Sequence, residues 1–214
     1  MPGYLIDGKR VLFAHVPKCG GSSVEAALRA EGREFLYDRH YHNDPDRFSA
    51  CSAQHLHHAV LARLFPPGFF EFSFSLVRHP VDRAVSEFRF RRGMKPRSRR
   101  VTRPGRLGYE PDAFEPWVDY MTLGAARHPY LFDNHARPQA DFIGPETAVF
   151  RLEDGLGPVF AALSAALGRP VAPPARRRQV SKADPVEVTA RARARLEAFY
   201  ADDFAMFGYD RLAA

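Results

Sequence analysis

The chain has 214 residues, 45% of them hydrophobic and 26% charged, with 31 Lys+Arg against 25 Asp+Glu and a formal charge of +6. That apolar content excludes a mainly disordered chain, and the length fits one domain spanning residues 1–214. Two cysteines, Cys19 and Cys51, exclude a disulfide-stapled scaffold and fit a reducing compartment. Met1 to Arg10 has no apolar core for a secretory signal, and the longest weakly polar stretch, Gly155 to Gly168, is too short to span a bilayer. A soluble cytoplasmic protein with an anionic partner is expected.

In chain order, Arg10 to Val16 reads as a buried strand, Pro17 to Ser23 as a glycine-bearing turn, and Val24, Ala27 and Leu28 as helical spacing to about Ala30. This strand–loop–helix unit opens an α/β architecture. A short strand is expected at Glu34–Tyr37, a polar loop at Tyr41–Ser52, and a helix at Leu56–Phe65 stopped by Pro66-Pro67-Gly68. Phe69 to Val77 alternates as a second strong strand. Pro80 takes the first helical position of a segment running to about Arg91. Arg92 to Gly108 carries no apolar periodicity. Helices are expected at Phe114–Leu123, at Pro158–Leu167 closed by Gly168, and at Pro185–Phe204, with a strand at Ala148–Leu152.

Two motifs carry chemistry. Gly20 and Gly21, between a buried strand and a helix, offer close-approach backbone N–H groups at a helix N-terminus, an anion site by geometry and dipole. Lys18 adds a mobile cation, and Ser22 and Ser23 add hydroxyl donors. A nucleoside-triphosphatase loop places its Lys after the second Gly, whereas Lys18 precedes both glycines here. The second strand ends Leu76-Val77-Arg78 with no acidic metal ligand, which suits an anion bound without Mg²⁺. In the second motif, Arg78-His79-Pro80-Val81-Asp82-Arg83-Ala84-Val85-Ser86, Arg78 stands at a strand's carboxyl end, where open α/β sheets bind ligands. Ser86 follows two helical turns later, while Asp82 and Arg83 in the first turn suit local ion pairs as well as they suit a ligand contact.

Together these motifs resemble the sulfotransferases that use 3′-phosphoadenosine-5′-phosphosulfate (PAPS), whose first loop reads P-K-[TS]-G-[ST]-[TS] and whose later segment reads R-[DNH]-P-x-x-R-x-x-S. The resemblance implies a P-loop-like three-layer fold with a central parallel sheet flanked by helices, and PAPS as co-substrate without a metal. It puts Lys18, Ser22 and Ser23 on the 5′-phosphosulfate, and Arg78 and Ser86 on the 3′-phosphate. Cys19 and Gly21 replace the commoner hydroxyl residues, so the backbone N–H groups of Cys19, Gly20 and Gly21 must serve there. Arg137 to Ile143, Ala148 to Glu153 and Tyr200 to Tyr209 look like the family's middle and C-terminal segments. They lean toward the carbohydrate-sulfating branch, similar to uronyl 2-O-sulfotransferases and bacterial relatives, and a bacterial source is expected. The acceptor so implied is a hydroxyl on an anionic glycan or glycolipid.

Sulfuryl transfer needs an in-line acceptor, a cation at the departing phosphate oxygen and a base for the acceptor's proton. Lys18 suits the second task and a neutral histidine the third. Among nine histidines, His55 is the candidate base. Gln54-His55-Leu56 aligns with the Gly-His-Val segment that carries the catalytic histidine in uronyl 2-O-sulfotransferases, with a departure at Gln54. His57 and His58 are its neighbours, His15 reads as a packed core residue, His79 as a helix cap, and His135 as an acceptor contact.

Arg89 to Arg106 holds nine Lys/Arg and no acid, either a solvated loop or a surface for an acidic acceptor. Nucleic acid is the weaker reading, since no aromatics interleave between Phe90 and Tyr109 for base stacking. Arg176-Arg177-Arg178 and Lys182 lie where sulfotransferases close over the 3′-phosphate, so Arg177 and Lys182 join the cofactor-binding candidates. The alternatives are an atypical nucleotide kinase and a basic nucleic-acid-binding module.

Overall fold

The computed structural model describes residues 3–35, 51–94, 110–174 and 185–211. These divide into two compact units, each built from two chain segments: 1–78 with 141–180, and 79–140 with 181–214.

The first unit holds a five-stranded sheet of order β3-β1-β2-β4-β5. Its strands are β1 (Gly3–Ile6), β2 (Lys9–Ala14), β3 (Arg33–Glu34), β4 (Phe72–Val77) and β5 (Thr147–Arg151). β2, β4 and β5 run parallel, with Phe13 opposite Phe74 and Leu76 opposite Phe150. β1 runs antiparallel to both β2 and β3. The sheet is therefore mixed, which corrects the expectation of a parallel one. The cause is a two-residue turn: Asp7 (φ 49) and Gly8 (φ 79) both take the left-handed conformation, giving the tight reversal whose twist suits a hairpin. Tyr4 and Ile6, ahead of that turn, are fully buried.

Parallel strands are covered on both faces, and β4 shows it: Ser73, Phe74, Ser75, Leu76 and Val77 are all buried. Ser75 meets its polar need by donating to the Ala14 carbonyl at 2.6 Å. Helices α1 (Gly21–Glu31), α2 (His58–Leu64) and α5 (Gly157–Leu167) complete this unit. Gly168 (φ 77) closes α5 by donating to the Ser164 carbonyl.

The second unit is helical: α3 (Pro80–Gly93), α4 (Phe114–Arg127), α6 (Ala190–Phe199) and α7 (Ala201–Phe207). Val81, Phe88, Trp117, Val118, Met121, Phe132, Leu196 and Phe204 form its apolar core. The single last helix expected over Pro185–Phe204 is two helices. Thr189, itself extended, caps α6 by accepting from the Ala192 N–H, and residues 185–188 before it are not helical. Tyr200 (φ −103, ψ 30) breaks the helix and spends its hydroxyl on the Ala136 carbonyl at 3.0 Å.

Candidate active site

β2, β4 and β5 are parallel, so their carboxyl ends share one edge of the sheet. From that edge emerge the His15–Gly21 loop, Arg78 and the turn at Leu152, the region where open α/β sheets place ligands. Lys18 (φ 69) and Gly20 (φ 79) are both left-handed, which folds the loop back onto the first turn of α1. Gly20 is the N-cap, has no side chain to cap with, and is followed by no acidic residue in the first turn. The N–H groups at this end of an 11-residue helix and the half-buried Lys18 side chain suit an anion. Cys19 is fully buried and gives its thiol to the Pro17 carbonyl at 3.6 Å, leaving only its backbone for a ligand. Ser23 is buried and Ser22 half-buried.

Gly21 has a structural reason. A Cβ there would lie 2.2 Å from Nε2 of His15, so the imidazole occupies the space that the family's usual hydroxyl side chain would need. His15 is buried, as expected of a core residue, and stacks on Phe13 with ring centroids 5.2 Å apart. It is not merely packed, however. Its Nδ1 lies 2.6 Å from Oε1 of Glu25 on α1, and a carboxylate can only accept, so Nδ1 carries the proton. Gln54 donates to the same oxygen at 2.8 Å, while Arg29 holds the other at 3.3 Å. Burial works to raise the Glu25 carboxyl. The hydrogen bonds from His15 and Gln54 and the charges of His15 and Arg29 outweigh it, so the group is held below its ordinary range.

His55 ends the one-turn 3₁₀ helix Ala53–His55 and is buried. Its ring meets that of His15 edge-to-face, centroids 5.1 Å apart at 78°. One imidazole thus separates the candidate base from the first residue of α1. Its neighbours lie elsewhere: His57 precedes α2, and His58 packs on Gly144, where a Cβ would be 2.5 Å from its Nδ1. Among the predicted residues the first unit thus brings the loop Lys18–Ser23 into one neighbourhood with His55. Arg78, half-buried, follows β4 on the same edge, while Ser86 is half-buried on α3 in the second unit. Glu25 and Gln54 escaped sequence reasoning. Glu25 had a local signal in its i,i+4 pair with Arg29, whereas Gln54 showed only as a departure from the Gly-His-Val segment that its surroundings resemble.

In the second unit, Arg83 is 1% exposed and donates to the carbonyls of His135 and Arg137 at 3.1 and 2.8 Å over the Tyr200 ring. It therefore ties backbone together rather than joining an ion pair with Asp82. His79 makes no side-chain cap and instead sets its ring against Phe204 and Tyr209. His135 lies 2.7 Å through Nδ1 from Glu87. Arg91 is buried in a two-pronged pair with Glu110, at 2.6 and 2.8 Å, and Arg92 pairs with Asp112. Two cations of the acid-free run are thus matched by acids just beyond it. Residues 95–106, Arg176 to Arg178 and Lys182, with the roles assigned to Arg177 and Lys182, lie outside the described residues.

A family model described as the sulfotransferase family matches residues 4–153. No curated protein and no solved structure matches the chain. Among the described residues, no helix is long and apolar enough to cross a membrane.

Proposed function

The chain belongs to the sulfotransferase family, and on that premise we propose that it transfers a sulfuryl group from PAPS to a hydroxyl of a carbohydrate or glycolipid acceptor. The observation that carries the reading is the left-handed Lys18–Gly20 loop opening an uncapped helix, with His55 one imidazole away. The loop N–H groups and Lys18 hold the 5′-phosphosulfate, and Arg78 with Ser86 holds the 3′-phosphate; Arg177 and Lys182 belong to the same reading. In the transfer, a bond forms between the acceptor oxygen and sulfur while the sulfur–oxygen bond to the donor's phosphate breaks. His55 takes the acceptor's proton, and Lys18 with the loop N–H groups stabilises the charge left on the phosphate oxygen. An anionic glycan is the acceptor class that a chain with a +6 surplus suits.

The test is stabilisation of the protein by 3′,5′-adenosine bisphosphate without Mg²⁺. At a hundredfold excess over Kd, binding raises stability by about 2.7 kcal/mol. Lys18→Ala and Arg78→Ala should lose that shift, and His55→Ala should keep it while losing transfer from labelled PAPS in an acceptor screen. Stabilisation that requires Mg·ATP, or salt-sensitive oligonucleotide binding alone, would overturn the reading.

A further inference from the structure

The residue beside the candidate base is the one that departs from the Gly-His-Val segment of uronyl 2-O-sulfotransferases, and the geometry gives it a task. We propose that Gln54 is a positioning residue: its amide, bound to Glu25 of α1, holds the turn that carries His55 against the helix whose first residues form the anion loop. This rests on the reading of His55 as the base.

Three contacts build the arrangement. Gln54 Nε2 donates to Glu25 Oε1 at 2.8 Å and lies 3.2 Å from His15 Nδ1. His15 Nδ1–H donates to that same oxygen at 2.6 Å, which fixes the ring with its Nε2 edge toward Gly21 and its flank toward His55. Glu25 Oε2 receives Arg29 at 3.3 Å, and Arg29 is itself braced by Glu34 at 2.8 Å. The carboxylate therefore has a donor on each oxygen and a fixed direction.

The turn itself is short. Ala53–His55 is a single 3₁₀ turn closed by the His55 N–H to the Ser52 carbonyl, a piece of backbone with little stiffness of its own. Cys51 gives its thiol to the His55 carbonyl at 3.5 Å within the turn, and Gln54 adds a side-chain link to α1 one residue before the base. A glycine at position 54 could not reach Glu25. Here the buried carboxylate on α1 supplies the anchor, and a residue with an amide donor is what it requires. A misplacement of about 1 Å at a reacting group costs on the order of a hundredfold in rate.

Gln54→Ala removes the tether without leaving a buried charge alone, and Gln54→Glu sets a second carboxylate against Glu25. Transfer from labelled PAPS to the acceptor found by the screen should fall about 10–100-fold in kcat for both variants. Stabilisation by 3′,5′-adenosine bisphosphate should stay as in the parent. In a His55→Ala background, Gln54→Ala should have no further effect, because it acts through that ring. Losses that multiply, or a Gln54→Ala enzyme with unchanged kcat, would overturn the proposal. Imidazole-nitrogen NMR reads the same geometry without turnover: Gln54→Ala and Glu25→Gln should both move the His55 ring signals, and unchanged signals would overturn it. If His55→Ala alone transfers normally, the base reading falls, and the NMR outcome still decides whether Gln54 positions that ring.

Discussion

Gly21→Ala isolates the packing at the head of α1. Gly21 is helical and without a left-handed φ, so alanine by intrinsic preference should stabilise the helix by about 0.5–1 kcal/mol. The structure sets a larger effect against this. The added Cβ would meet the His15 ring at 2.2, 2.5 and 2.7 Å, so ring or helix must retreat by about 1 Å to reach even tight contact. His15 cannot yield cheaply, because Phe13 stacks on it, His55 abuts it, and Glu25 grips Nδ1 at 2.6 Å. Overpacking costs about 1–3 kcal/mol, and weakening a buried hydrogen bond to a charged group costs a further 1–3 kcal/mol or so. After the helix gain, a net loss of about 1–5 kcal/mol remains, or about 2–20 °C in Tm for a chain of this size. Thermal unfolding followed by circular dichroism measures it. Gly157→Ala, on α5 with nothing within 4 Å of its Cβ, is the matched control and should be neutral or stabilising. A Gly21→Ala protein as stable as that control would refute the wedged imidazole and the contact chain built on it.

Arg91→Ala should cost about 3–5 kcal/mol, because it strands the buried Glu110 that Trp117 also holds at 2.9 Å, whereas Arg92→Ala, which removes a half-exposed pair with Asp112, should cost under about 1 kcal/mol. Urea denaturation of the two variants compares them, and equal losses would contradict the burial of Arg91. The carboxyls of Glu25 and Asp203 should act on stability with opposite signs. Glu25 is held below its usual value of 4.5, so its stabilisation is complete above that pH and is lost as pH falls through the lowered folded value. Asp203 is raised above 3.8 by burial, against Arg83 and the hydrogen bonds from Gln139 and Ala140, so stability declines as pH rises from 3.8 through the raised value. Stability-versus-pH curves of Glu25→Gln and Asp203→Asn should each lose their own limb, and a curve unchanged from the parent would contradict the assignment.

Most elements were legible because local chemistry determines them. Buried β2 and β4 declare themselves by apolar runs, α3 by Pro80 at its first position, and α5 by Gly168 at its end. The β1 hairpin was missed although Asp7-Gly8 is a strong turn signal, because its strand is only four residues long. The apolar spacing of the last segment runs through Tyr200, so the sequence by itself reads as one helix there. At the break, Tyr200 takes non-helical angles and its hydroxyl is bound to Ala136, 64 residues away in sequence.

The strand–loop–helix frame of Pro17–Ser23 and the place of Arg78 at a strand end could be read from sequence alone, since an apolar run, a glycine turn and a following helical spacing are local signals. The tertiary structure alone set the His15 imidazole between that loop and His55 and decided what holds it. Gly21 is required by His15, His15 is oriented by Glu25, and Glu25 is shared with Gln54, contacts that join residues up to 39 positions apart. No local propensity encodes such a cluster. It exists because a buried carboxylate must find donors wherever the fold brings them. The same rule dissolved part of the basic run: Arg91, one of nine cations in an acid-free stretch, is buried against Glu110, beyond the stretch's end.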